Sequence, residues 1–218
     1  MTTSSEASQD MCLERARSLA GRMLRGGAAC SLVAWRISSQ YDFVAHGLTA
    51  QGDIVVAVRP DEDCLLSTLP PGCGTVVRMD LTRHSNDVTL SVIAASAHLL
   101  GELVLLPNAA VDRLMSENQL PGRVAELAQI SGTRIGLVVT DRILVHDHSG
   151  VTPVPWEDLQ EARSEVPEAW CDDFEAHDVV ASQGCDALRG VCRAVITGSL
   201  PGQASLRPSA PGLCGHVL

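Results

Sequence analysis

Between Ala28 and Leu106 the chain offers one strand-like segment after another, and that succession constrains its fold more than any other feature. The segments are Ala28 to Ile37, Asp42 to Thr49, Asp53 to Arg59, Gly74 to Arg83 and Asp87 to Leu106. Turn signals separate them: Ser38-Ser39, Gln51-Gly52-Asp53, Pro70-Pro71-Gly72 and His84-Ser85-Asn86. Phe43 to Leu48 and Ile54 to Val58, joined through Thr49-Ala50-Gln51-Gly52-Asp53, read as a β-hairpin. Asp61 to Leu69 opens on an aspartate cap and fits a short helix between strands. Asp87 to Leu106 is too long for one ordinary strand, so a bend is expected near Ala97 to Gly101.

The flanking regions read differently. Residues 1–8 are Ser/Thr-rich and expected to be disordered. From Gln9 to Leu24 the apolar residues Cys12, Leu13, Ala16, Leu19, Ala20, Met23 and Leu24 recur at helical spacing, and Gly26-Gly27 ends the run. Two uses fit this helix, packing on a barrel or binding a partner. Helical spacing returns at Ala109 to Ser116 and Val124 to Ile130. Short strands follow at Thr133 to Thr140, Arg142 to His146 and Val151 to Val154. Trp156 to Arg163 and Pro167 to Thr197 read as helices, the second with a break at Gly184. Gln203 to Leu218 reads as a loop ending in an edge strand. Strands dominate residues 28 to 155 and helix follows. That order predicts an α+β protein, an antiparallel β-barrel or sandwich with an appended helix-rich unit, and argues against a doubly wound sheet.

Composition narrows the chemistry. Hydrophobic residues make up 45% of the 218 positions and charged ones 19%, which is globular composition. The N-terminal stretch carries Glu6, Asp10 and Glu14 where an export signal needs basic then apolar residues, so a cytoplasmic protein is expected. The net charge is −10 and every cation is arginine, with no lysine anywhere. Lysine Schiff-base chemistry and a P-loop are thereby excluded. An acidic chain with 3% aromatics also lacks the electrostatic and stacking terms of nucleic-acid binding. Arginine without lysine, in an alanine-rich chain, points to a GC-rich bacterial genome.

The eight cysteines include no C-x-x-C pair, so neither a zinc knuckle nor a thioredoxin-type redox pair is present. They read mostly as small buried apolar residues, with Cys171, Cys185 and Cys192 the one group that could serve redox or metal chemistry. The Gly72-Cys73-Gly74 stretch precedes a strand, lacks a third glycine and reads as a turn, not a phosphate cradle. His146-Asp147-His148 could hold a metal from a strand, yet Asp147 to Gly150 is turn-forming and fits a hairpin tip as well. His177 lies among Cys171, Asp172, Asp173, Glu175 and Asp178 and suits a general base or an axial ligand, or else a solvated acidic face. His216, near the C-terminus, could fold over a cofactor and ligate its iron. There is no G-x-S-x-G, and Ser85 and Ser149, the serines near histidines, fall in turns. Nothing in the sequence points to Ser/His/Asp catalysis.

The order of elements, the motif Ala97-His98-Leu99-Leu100-Gly101-Glu102-Leu103 with Pro107 after it, and Arg134 to Val145 leading to Trp156-Glu157-Asp158-Leu159 together carry a resemblance. So do Asp186-Ala187-Leu188 and Arg207-Pro208 to Gly215. The chain resembles the haem-utilisation branch of the FMN-binding split-barrel (pyridoxamine-phosphate-oxidase-like) superfamily. The resemblance implies a split-barrel domain over residues 9–130, a C-terminal α/β domain over 131–218, and a homodimer with ligand pockets at its interface. It further implies haem as cofactor, with His216 or His177 on the iron, or FMN, with Arg78 and Arg83 on its phosphate. Plant relatives regulate a tetrapyrrole-synthesis enzyme by binding it, so a non-catalytic interaction module and an FMN-dependent reductase stand beside haem binding. Val179 and Gly184 occupy the places where that family's small domain carries two histidines.

Overall fold

The computed structural model describes residues 3–34, 39–42, 44–61, 64–84, 93–148, 150–161 and 184–200. The chain divides into two compact units, Met1–Gln183 and Gly184–Leu218. The first unit is built on a nine-stranded, wholly antiparallel sheet: β1 (Ala29–Ala34), β2 (Ser39–Asp42), β3 (Ala45–Leu48), β4 (Ile54–Val58), β5 (Gly74–His84), β6 (Ile93–Leu105), β7 (Arg134–Val139), β8 (Arg142–Asp147) and β9 (Gly150–Pro155). Its main path runs β2-β1-β5-β6-β7-β4-β3, with β8 and β9 branching from β6. The sheet therefore continues beyond residue 130 through three further strands.

Alternation explains the strands. In β5 the side chains of Thr75, Val77, Met79, Leu81 and Arg83 are buried, while the even-numbered residues between them are exposed or half-buried. Strand β4 is the exception, because both of its faces are covered. Ile54, Val56 and Val58 join the main core with Leu32, Met79, Leu99, Leu103, Ile143 and Val154. Val55 and Ala57 face a second core with Leu120, Val124 and Ile135. That second core lies under α3 (Asn108–Ser116) and α4 (Gly122–Ala128), which supply Val111, Leu114, Met115 and Val124. A strand covered on both faces reads as the unbroken apolar run Ile-Val-Val-Ala-Val.

Helix α1 (Thr3–Arg22) starts within the stretch expected to be disordered and continues into a π-helical turn, Met23–Gly27. Gly26, at φ 102°, ends it in a conformation that L side chains rarely adopt. Ala16, Leu19, Ala20, Met23 and Leu24 are buried in the main core. The helix is thus a packing element, and Arg17 ties it to Asp158 of α5 (Trp156–Glu161) at 2.6 Å. Helix α2 is shorter than the sequence implies, only Leu65–Thr68, and its cap is Cys64 in place of Asp61. The Cys64 thiol accepts the Leu66 N–H at 3.3 Å and lies 2.7 Å from the Tyr41 hydroxyl.

Arg134 secures the segment after α2 by donating to the carbonyls of Ser67 (2.5 Å) and Leu69 (2.7 Å). Two charge-assisted bonds from one guanidinium predict that Arg134→Ala lowers unfolding free energy by about 2 kcal/mol, measured as a shift in urea midpoint.

One edge of β6 follows β5 from Val104 to Ile93. Its other edge is shared: β8 pairs with Ser96–Leu99 and β7 with Glu102–Leu105. At this fork the buried Thr140 hydroxyl donates to the Leu100 carbonyl at 2.7 Å and sits 3.1 Å from that of Arg142. Where a bend is expected, Ala97 to Gly101, β6 keeps unbroken register with β5; what changes there is the partner on its other edge. The second unit contributes α6 (Cys185–Ile196), an amphipathic helix with Val191 and Ile196 exposed. Among the described residues no helix is long and apolar enough to cross a membrane.

Candidate functional site

The face of β5, β6 and β8 turned away from the main core brings together Arg78, Asp80, His98, Glu102 and His146. Strand geometry places even-numbered residues there: Val76, Arg78, Asp80 and Thr82 from β5; Ser96, His98, Leu100 and Glu102 from β6; Leu144 and His146 from β8. Register then sets the neighbours. Asp80 lies opposite His98, His98 opposite Leu144, and Ser96 between Thr82 and His146.

The side chains bond along these rows. The Asp80 Oδ1 and His98 Nδ1 atoms are 2.6 Å apart, and the Arg78 Nε–H donates to Oδ2 of the same carboxylate at 2.8 Å. A carboxylate only accepts, so His98 carries its proton on Nδ1 and, when neutral, offers a lone pair at Nε2. That Nε2 lies 3.3 Å from the Ser96 hydroxyl. The His146 ring meets the His98 ring edge-on with centroids 4.9 Å apart. The imidazole is partly open to solvent, at 39% side-chain exposure.

Apolar residues surround this polar line. Leu100 is 59% exposed and Val139, opposite Glu102, is 61% exposed; Val76 lies across from the same glutamate. The face can therefore orient an imidazole, hold its Nε2 beside the Ser96 hydroxyl and offer apolar surface to a flat ligand.

Arg78 and Arg83 are not brought together. Arg78 lies on this face in its ion pair with Asp80, whereas Arg83 is buried on the opposite side of β5. An odd number of residues between two strand positions returns the same face, and these two positions are separated by four. His177 and His216 lie outside the described residues.

His146-Asp147-His148 is split between two neighbours. Asp147 pairs with Arg15 of α1 at 3.2 Å and the His148 ring lies 2.8 and 2.9 Å from the same guanidinium, while His146 faces His98. Among the described residues no group of three or more His, Cys, Asp and Glu side chains is placed to hold a metal ion. Of the five cysteines whose exposure is described, Cys30 is buried and its thiol is pushed well up by burial, with the Asp80 charge adding to it. Cys12, Cys73 and Cys192 are exposed, contrary to the expectation of mostly buried thiols; they lie in α1, just after the Pro71-Gly72 turn and in α6.

Ser96, His98 and Asp80 do not stand out as a unit in the sequence. The Ser-x-His spacing is visible there, since residues two apart in a strand share a face. Asp80 joins them only through the pairing of β5 with β6.

No family model matches the chain, and no curated protein matches it. Solved structures do, distantly. A general stress family protein from Xanthomonas campestris pv. campestris shares 12% identity at a TM-score of 0.39, covering 61% of this chain and 86% of its own. The FAD and heme binding protein from Mycobacterium smegmatis shares 16% identity at a TM-score of 0.37, covering 93% of this chain and 91% of its own. A third structure matches at 13% identity and a TM-score of 0.43, over 66% of this chain and 95% of its own.

Proposed function

We propose that the chain is a cytoplasmic split-barrel protein that binds haem, or a closely related tetrapyrrole, in haem utilisation. The ligand sits on the outer face of β5, β6 and β8, and a second copy of the chain closes over it. The observation that carries this reading is the Asp80–His98 pair. A ligating histidine characteristically donates its other ring N–H to a carboxylate, which fixes the tautomer and strengthens the free nitrogen as a ligand. His98 has that arrangement, at 2.6 Å, on a face where Leu100 and Val139 offer apolar contact to a porphyrin. Haem, when bound, would supply an iron for His98 Nε2, and Arg78, on the same face, would be the cation to meet a propionate. The exposed apolar residues also support pairing of two copies across this face.

Haem titration of the purified chain tests the proposal. Wild type is expected to show a Soret shift, and His98→Ala to lose it. Asp80→Asn should weaken binding by about 10- to 100-fold, the usual cost of removing a ligand's orienting partner. His216→Ala and His177→Ala, run alongside, decide whether a second imidazole completes the iron. An unshifted wild-type spectrum removes the assignment, and a preparation that releases FMN on denaturation transfers it to a flavin.

A further inference from the structure

The same three side chains point to a second activity that does not depend on haem. We propose that Ser96, His98 and Asp80 form an acyl-transfer triad that hydrolyses neutral esters with an apolar acyl group. Such a triad is recognised by geometry and roles, whatever the fold or the order of residues in the chain. All the roles are filled here: Asp80 accepts from His98 Nδ1 at 2.6 Å, and the opposite ring nitrogen lies 3.3 Å from the Ser96 hydroxyl. Arg78 holds the second carboxylate oxygen, so Asp80 is fixed from both sides. Asp80 and Arg78 act as positioning residues; Ser96 and His98 would touch the substrate.

The surroundings select the substrate. Leu100 and Leu144 flank His98 on the same face, one along the strand and one across it. They suit a short apolar acyl chain. A chain of net charge −10 disfavours an anionic substrate. His146 is the register partner of Ser96, and its ring stands edge-on to that of His98.

The reaction balances with water as the only co-reactant. Ser96 Oγ bonds to the acyl carbon while its proton passes to His98 Nε2. The ester C–O bond breaks and the leaving alkoxide takes that proton, departing as the alcohol. Water then attacks the acyl-Ser96 ester, giving its proton to Nε2. The carboxylic acid is released and the proton returns to Ser96 Oγ. When iron occupies Nε2 the base is lost, so the activity belongs to the haem-free protein.

The test uses the full chain without haem. With p-nitrophenyl butyrate a burst of p-nitrophenolate approaching one equivalent per chain is expected, followed by slower turnover. A fluorophosphonate probe should label Ser96, as located by mass spectrometry of wild type. Ser96→Ala should abolish burst and label. His98→Gln should slow labelling by about 10²- to 10⁴-fold, the usual contribution of a positioned base. Asp80→Asn should slow the burst while its amplitude stays near one equivalent per chain, a split that loss of folded protein, which lowers the amplitude, would not give. Label found on another residue, or wild-type turnover equal to that of Ser96→Ala, overturns the proposal. Because the probe maps the nucleophile in wild type, the result decides the matter even where a variant fails to fold.

Discussion

Gly101→Ala is expected to destabilise the protein by about 3 kcal/mol, at the upper end of what overpacking a tight site costs. A methyl group at Gly101 would overlap the Val139 carbonyl oxygen and crowd the Val138 side chain. Flexible side chains can swing away from such a contact; a strand carbonyl cannot. Val139 is held in register with Glu102, and just beyond it the Thr140 hydroxyl is tied to the Leu100 carbonyl at 2.7 Å. The strain must therefore open the fork where β6 passes from β8 to β7. Thr140→Val should cost about 1 to 2 kcal/mol for the hydroxyl that no longer meets that carbonyl. Combined, the two changes should cost less than their sum, since each loosens the same junction. Urea denaturation of the four proteins measures this, with an unchanged m-value confirming that stability alone has moved. A Gly101→Ala protein within about 0.5 kcal/mol of wild type would show that the junction yields easily, because that is the ordinary range for an inconsequential surface change. The same variant should impair the haem binding proposed for His98, three residues up the strand.

What could be read in the sequence depended on the range of the interaction. Strand β5 shows its alternation within eleven consecutive residues, and the hairpin loop shows itself in Gly52, which takes φ 92° between β3 and β4. Apolar spacing from Leu13 to Leu24 likewise marks the packed side of α1, while Cys12, which the same spacing includes, is exposed. Local composition misled where pairing decided the outcome. Ser39, which has the character of a turn residue, begins β2, because Gln40 and Tyr41 pair with Val33 and Leu32 of β1. Cys64 takes the place of an Asp61 cap, because its thiol can accept the Leu66 N–H. For the candidate site the divide is sharper. Ser96 and His98 share a face by strand geometry alone, yet Asp80 stands 18 positions before His98. Only the Asp80-to-His98 register brings it there. One residue of slip would send Asp80 to the opposite side of the sheet. Gly101 carried the same ambiguity, since a glycine within a strand signals a close approach without naming the partner.

Acid should weaken the fold through His46. This histidine sits in β3 with 5% of its surface exposed, and its ring Nε2 lies 2.8 Å from the Met23 carbonyl in the π-helical turn that ends α1. Burial lowers its pKa below the ordinary histidine value of 6.5, and the Arg123 charge adds to that, while bonds to the Met23 and Val44 backbone oppose it. Above that ordinary value the ring is neutral in both folded and unfolded chains, so its contribution to stability is fully present. As pH falls through it, the unfolded chain takes up a proton that the folded chain refuses. Stability then declines by up to about 1.4 kcal/mol per pH unit, until the depressed folded pKa is reached. His46→Gln keeps an N–H donor for Met23 but cannot titrate. It should cost stability at neutral pH through imperfect packing and yet flatten the acid limb. The measurement is the urea midpoint of both proteins between about pH 7.5 and pH 5, where one proton's difference can accumulate to at most roughly 2 kcal/mol. The other histidines contribute equally to both curves, so the difference between them isolates His46. Parallel curves would mean that the ring already takes its proton inside the fold, using both nitrogens as donors. The link between α1 and β3 would then be a charged one that persists into acid.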